Sequence, residues 1–320
     1  MKTIILVVLI ALNSFAIEKL KVGVLAFGTV NWELNVMKHN KIAQKLGLEL
    51  EVIKLASKNA VSIALQAGAV DVIVSDFIWV SRQRAKGYDF TFYPYSKTIG
   101  SLYVRPEQNI NTLLDLKNKK LGVSGGSVDK TWLLLRAYTN YKYQENLTAL
   151  VNPTFASPPI LNKKLLDSSL DATINFWHFG AKLEASGMKR LIGMQEILPE
   201  LGITSDITFV GWVFNDKFAR MNRNIIDSFL QASYETKELL LRSDDEWERL
   251  KTIMKVKDEV TFEALKTGYR QGVVKSFTRE NKDDAKKVFN ILATQGGVKL
   301  VGVSKKLQEG TFYNFTPKIK

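Results

Sequence analysis

Two stretches decide how this chain folds: KVGVLAFGTVNWEL at residues 21–34 and KLGVSGGSVDKTWLL at residues 120–134. Each opens with Lys-x-Gly-Val, a short apolar run of the kind that forms a buried strand. Each then passes through a glycine-containing turn and resumes at Trp32-Glu-Leu34 or Trp132-Leu-Leu134, with turns differing by one residue. A second pair follows in the same order. Ala67-Gly-Ala-Val-Asp71 leads through an apolar run to Ser75, Asp76 and Trp79, and Ser168-Ser-Leu-Asp171 leads through another to Asn175, Phe176, Trp177 and His178. Two ordered matches predict two similar α/β halves in one chain.

The surrounding pattern agrees. Strands are predicted at Leu20–Ala26, Leu48–Leu55, Asp71–Ser75, Phe90–Tyr95, Leu121–Ser124, Thr154–Ala156 and Ala172–Phe176. Helices are predicted between them at Val30–Leu46, Asn59–Ala67, Phe77–Lys86, 128–141 and Ile160–Ser168. Such alternation makes parallel-rich sheets covered by helices. The first half is expected to span 17–99 and, after a return through the strand-like Ile207–Phe214, residues 207–320, which are mostly helical from Lys217 to Thr294. The second spans 100–206. Two crossings make a hinge with a cleft beside it, and open α/β sheets bind ligands at the carboxyl ends of their strands.

The 320 residues are 46% hydrophobic and 24% charged, which excludes a disordered or fibrous chain. There is no cysteine and there are two histidines, so disulfides, thiolate sites and a multi-histidine metal site are not expected, and no cofactor is called for. Lys plus Arg exceed Asp plus Glu by 13. These basic residues are dispersed without basic-aromatic interleaving, a pattern that argues against nucleic acid as a partner. Lys2, the apolar Thr3–Leu12 and the small residues Ser14 and Ala16 read as a cleaved secretory signal, residues 1–16. With no second long apolar run, the expected place is a bacterial periplasm and the expected state a monomer.

The strand ends supply the candidate binding residues. The first offers Phe27, Gly28, Thr29, Asn31 and Trp32, and the third Ser75, Asp76 and Trp79. The second half offers Ser124, Gly125, Gly126, Ser127 and Lys130, then Asn175, Trp177 and His178, while Trp212 lies in the returning segment. Tryptophan lines apolar pockets and stacks on flat or cationic ligands, and equally fills cores. Ser124–Ser127 before a helix suits an anion, and equally a tight turn with Ser127 as cap. Asp76 suits a donor or cation on a ligand, or a cap; His178 suits a hydrogen-bonding wall or a buried ring.

Three motifs point falsely to an enzyme. Gly122-Val-Ser124-Gly-Gly126 matches a nucleophile elbow, but the partners Asp171 and His178 are seven residues apart, with Asp171 at the opposite end of its strand. Ser127-Val-Asp-Lys130 fits S-x-x-K and Lys266-Thr-Gly268 fits K-T-G, the latter in a helical stretch. The chain is therefore expected not to be an enzyme, with a secreted serine hydrolase using Ser124 as the competing reading and a solute-sensing module as a third.

On Lys21–Gly28, Ala67–Trp79, DLKNKKLGVSGGSVDK at 115–130 and Leu170–Trp177, the chain resembles the substrate-binding proteins of bacterial ABC transporters, of the nitrate/sulfonate/taurine type that includes thiamine-pyrimidine binders. The resemblance implies a two-lobed type II periplasmic-binding-protein fold and delivery of a small solute to an ABC permease and ATPase in the inner membrane. The family's first loop falls on Phe27–Thr29, its polar strand end on Ser75 and Asp76, its Gly/Ser loop on Ser124–Ser127 and its late strand end on Asn175–Trp177. The tryptophans and Asp76 depart from simple oxyanion binders and favour an organic solute, sulfonate-, amine- or pyrimidine-like. The related pyrimidine-synthesising enzymes carry a cysteine-rich motif that this chain lacks.

Overall fold

The computed structural model describes residues 17–319, so the signal-sequence expectation for residues 1–16 lies outside the described residues. In chain order the elements are β1 (Glu18–Leu25), α1 (Val30–His39), α2 (Ile42–Lys45), β2 (Leu48–Leu55), α3 (Lys58–Gln66), β3 (Val72–Asp76), α4 (Phe77–Arg84) and β4 (Phe90–Ser96). Then come β5 (Gly100–Val104), β6 (Lys120–Val123), α5 (Lys130–Tyr143), α6 (Leu147–Leu150), β7 (Asn152–Phe155), α7 (Pro158–Leu166), β8 (Ala172–Phe176), α8 (Trp177–Ala185), β9 (Lys189–Gly193) and α9 (Met194–Glu200). The chain finishes with β10 (Val210–Asn215), α10 (Asp216–Met221), α11 (Arg223–Arg242), α12 (Asp244–Met254), α13 (Glu259–Gln271) and α14 (Arg279–Val301).

The strands form two five-stranded sheets, in the orders β2-β1-β3-β10-β4 and β7-β6-β8-β5-β9. In the first, β1 runs parallel to β2 and β3, and β10 runs antiparallel to β3 and β4. In the second, β6 runs parallel to β7 and β8, and β5 runs antiparallel to β8 and β9. The sheets therefore correspond strand for strand, with β6 in the place of β1 and β8 in that of β3. In each, the antiparallel fourth strand is the one adjoining a crossing: β5 follows residues 97–99 and β10 follows residues 201–209. The shared Lys-x-Gly-Val has a packing reason: a Cβ on Gly23 would meet Val70 at 3.0 Å, and one on Gly122 would meet Leu170 at 2.6 Å.

The predicted helix Val30–Leu46 is two helices, broken where Lys41 takes a left-handed conformation (φ 55°). Two strands, β5 and β9, add to those expected. Helix α14 lies against both α4 and α5. It joins Phe77 and Ile78 on one side to Trp132 and Leu133 on the other, through Val288, Phe289 and Leu292, into one buried apolar cluster. Asp284 ties the same helix to the second crossing, accepting the Thr204 and Ser205 N–H groups at 3.0 and 2.9 Å.

Candidate functional site

Four strand-to-helix junctions, two from each sheet, carry the expected site residues, and each is built by local chemistry. After β1, Gly28 adopts φ 132°, which favours glycine, and Asn31 Nδ2 donates to the Leu25 and Gly28 carbonyls at 3.0 and 3.1 Å. Between β3 and α4 no loop remains: Asp76 ends the strand and caps the helix, its Oδ1 accepting the Trp79 N–H at 2.8 Å. After β6, Gly125 and Gly126 both have positive φ (78° and 85°), and Asp129, not Ser127, caps α5 by accepting the Trp132 N–H at 3.1 Å. After β8, α8 begins at once, and its Trp177 N–H donates to the Ile99 carbonyl of the first crossing at 2.8 Å.

Contacts join the junctions of one sheet to those of the other. Lys130 Nζ, at the start of α5, lies 2.7 Å from Asp76 Oδ2. Lys58 Nζ, at the start of α3, lies 5.0 Å above the Phe176 ring. Trp32 and Trp177 meet edge to face, centroids 6.3 Å apart. Burial raises the Asp76 carboxyl, but the Lys130 charge and hydrogen bond and the Trp79 N–H outweigh it, so Asp76 is held below the usual carboxylate range. Burial, then repulsion from Lys130, lowers Lys58, with the Asp76 and Asp129 carboxylates opposing. Burial raises Asp129, with the Trp132 N–H opposing.

Below the tryptophans lies a polar cluster that the sequence reading missed. Glu33 is fully buried: its Oε1 accepts from Ser233 Oγ at 2.6 Å and its Oε2 from Tyr269 OH at 3.0 Å, with Lys237 Nζ 3.0 Å away. Lys237 Nζ also sits 4.1 Å over the Tyr95 ring, whose buried hydroxyl faces Tyr269 and Glu33. Burial lowers Lys237 and raises Tyr95 and Tyr269 well above the usual range. A cavity of about 10 Å³ lies here between Thr29, Tyr95, Lys237, Tyr269 and Trp177, room for no more than one water. A signal was present in α11, where Phe229, Ser233 and Lys237 fall on one buried face at helical spacing.

Among the expected site residues, Thr29, Trp32, Asp76, Lys130 and Trp177 are thus brought together, with Gly125, Gly126 and Ser127 in the loop beside Lys130. Phe27 is 69% exposed at the rim, next to Gly28. Ser75 pairs with Gly211 of β10 within the sheet. The rest point elsewhere. Trp212 is a correction: it is fully buried in the first half, donating from Nε1 to Ser233 Oγ at 3.0 Å and packed on Phe229 and Tyr95. Asn175 is also interior, its Nδ2 donating to the Pro158 carbonyl and to Asn162 Oδ1 within the second half. Trp79 packs on Phe90, and Asn31 serves its own loop. Trp132, near a strand end in sequence, is buried under α14. His178 lies 4.5 Å from the Phe179 ring with its buried Nδ1 unpartnered, and burial, then Lys182, lowers it to about 4. Ser127 Oγ accepts from Lys299 Nζ at 2.8 Å.

Ser124 is fully buried and its Oγ has no hydrogen-bond partner, so no base is paired with the elbow-like serine. Among the described residues no group of acidic, histidine or cysteine side chains could hold a metal.

Two mixed sheets of this matching topology, flanked by helices and joined by two crossings, define the type II periplasmic-binding-protein fold. By sequence the chain belongs to the NMT1/THI5-like family, whose model matches residues 44–246. No curated protein matches it in sequence. Among solved structures it is similar to the periplasmic aliphatic sulphonate binding protein SsuA from Escherichia coli, with a TM-score of 0.72 and 17% identity over 95% of this chain and 94% of that one. The alkanesulfonate-binding SsuA from Xanthomonas axonopodis pv. citri, bound to MOPS, gives 0.68 and 13% over 92% and 98%. The periplasmic nitrate-binding protein NrtA from Synechocystis PCC 6803 gives 0.58 and 12% over 77% and 68%. The shared feature at these identities is the fold.

Proposed function

We propose that this protein is the periplasmic solute-binding component of an ABC importer. It captures a small organic solute, sulfonate-, amine- or pyrimidine-like, in the gap between its halves and presents it to a membrane permease and its ATPase. The observation that carries the reading is the set of complementary groups facing each other from separate sheets: Asp76 with Lys130, and Trp32 with Trp177. Residues 17–99 with 207–320, and residues 100–206, are read as two bodies that close on the solute. A ligand touching both favours the closed arrangement by as much as it binds that arrangement better. Family membership and the sulfonate- and nitrate-binding neighbours support the class of function. The unpaired Ser124 hydroxyl gives a hydrolase no base, which favours binding without chemistry.

Mass spectrometry of small molecules released from protein purified natively after export tests the reading. A stoichiometric organic solute is expected, lost when Trp177 is replaced by Ala. Absence of any retained molecule, with no permease or ATPase gene beside this one, would overturn it.

A further inference from the structure

Away from the junctions lies a cavity of about 1060 Å³ that no residue of 100–206 lines. Its walls are β4, α11, the stretch 274–282 and the final residues 313–319. That final stretch is tied to α11 twice. Tyr313 OH donates to Asp227 Oδ1 at 3.0 Å, and Gln231 and Lys318 exchange hydrogen bonds at 3.0 and 2.9 Å. It borders the cavity without filling it. Tyr93, Tyr234, Phe277 and Phe315 supply ring surface, with Tyr93 and Phe315 edge to face at 5.5 Å. Burial, then Tyr234, pushes Tyr93 up to about 12, so its hydroxyl stays protonated and able to donate. The charges are lopsided. The lining carboxylates are engaged: Asp227 accepts from Arg223 Nε and Tyr313 OH, and Glu235 from Gln231 Nε2 at 3.0 Å. Lys282 Nζ donates only to the neutral Asn314 Oδ1, at 2.7 Å, and lies 6.0 Å from the Phe277 centroid. Lys275 has no carboxylate partner among the described residues.

We propose that this cavity is a second binding site, separate from the junctions, and that it takes a small aromatic carboxylate. The rings of Tyr93, Tyr234, Phe277 and Phe315 receive the flat part, which leaves water for apolar surface. Lys275 and Lys282 take the carboxylate through charge-assisted hydrogen bonds, and neither has an ion pair to give up. An aliphatic acid forgoes the ring contacts, and an aromatic amine meets like charge. The site also has a reporter. Tyr95 and Ser233 line the cavity and both touch the buried Trp212, Tyr95 with ring centroids 5.1 Å apart and Ser233 through the 3.0 Å hydrogen bond from Nε1. Tyr95 and Lys237 line the small cavity beside Trp177 as well, so a guest in the larger one rests against the wall of the other.

The test titrates the mature chain with benzoate, 4-hydroxybenzoate and 2-naphthoate, against cyclohexanecarboxylate and benzylamine, followed by calorimetry and tryptophan fluorescence. At least one aromatic acid is expected to bind on the order of tenfold tighter than cyclohexanecarboxylate and benzylamine, with a change in emission. Replacing Lys275→Gln and Lys282→Gln together should weaken that acid on the order of tenfold. Both side chains lie at the surface end of the cavity wall, so the double variant should melt with the parent. Trp177→Ala, which alters the junctions, should leave the acid's affinity unchanged. Loss of the acid in Trp177→Ala with retention in the double lysine variant places it at the junctions and overturns the second site, leaving the solute-binding function untouched. Equal binding of cyclohexanecarboxylate or benzylamine overturns the ligand class. Absence of heat and of any emission change with all three aromatic acids overturns the site.

Discussion

Asp71 and Asp171 hold the same place in the two sheets: Asp71 Oδ2 accepts the Lys21 N–H and Asp171 Oδ2 the Lys120 N–H, each at 2.8 Å. Each also gives its own N–H back to that lysine's carbonyl, at 2.9 and 3.0 Å. The two carboxylates therefore pin the central parallel strands of each sheet, as expected of aspartates at strand starts.

Their surroundings differ, and this sets the first prediction. Asp171 also accepts from Gln108 Nε2 at 2.7 Å and lies 3.8 Å from the Arg105 guanidinium. Urea unfolding should show Asp71→Ala costing about 1 kcal/mol and Asp171→Ala about 2–3 kcal/mol, because more donors are stranded. Equal losses would refute this.

Gly268 on α13 faces Trp177 on α8. A Cβ there would lie 2.8 Å from the indole ring. Gly268→Ala should push α8 and α13 apart at a cost of about 1–3 kcal/mol and open the gap. Scattering would register a larger radius of gyration; an unaltered radius with unaltered tryptophan emission would contradict the prediction.

His178 makes stability fall in mild acid. Burial lowers its folded value to about 4 from the ordinary 6.5. The unfolded chain therefore binds this proton first as pH drops. The contribution is complete above pH 6.5 and is lost as pH falls toward 4, up to about 3 kcal/mol in all. His178→Phe should remove that part of the pH dependence in denaturant titrations at pH 7.5 and about pH 4.5; identical slopes for parent and variant would disprove it.

Ser124→Ala deletes a buried hydroxyl that makes no hydrogen bond. The variant should be as stable as the parent, or more so by up to about 1 kcal/mol, and the parent should resist a fluorophosphonate probe. Labelling at Ser124 would restore the hydrolase.

Much of the fold was legible because the echoes are local. β2 and β8 fall where the apolar runs place them, and the Gly23 and Gly122 positions report the same tight contact twice. β5 (GSLYV) and β9 (KRLIG) were missed because each opens on glycine, serine or charged residues, which leaves two or three consecutive apolar side chains to announce a strand. The break in Val30–Leu46 carries neither Gly nor Pro, only a left-handed Lys41. Trp212 was misplaced because β10 is buried on both faces: Trp212 and Phe214 enter the cluster under α1 and α11, while Val213 enters the other. Alternation cannot tell two interiors apart. The Glu33 cluster draws on α1, β4, α11 and α13, so no single stretch of sequence announces it.

Helix α14 has one more implication. It is seated on α4 and α5 together, so it links the helices of the two sheets by packing as well as by backbone. Peeling the helix from either side would wet Phe289 and Leu292, about 1.5–3 kcal/mol for each ring or branch uncovered. If the two bodies close as proposed, the least costly movement keeps α14 in its seat and rolls one body along it, with this helix, and not the pair of crossings, as the axle.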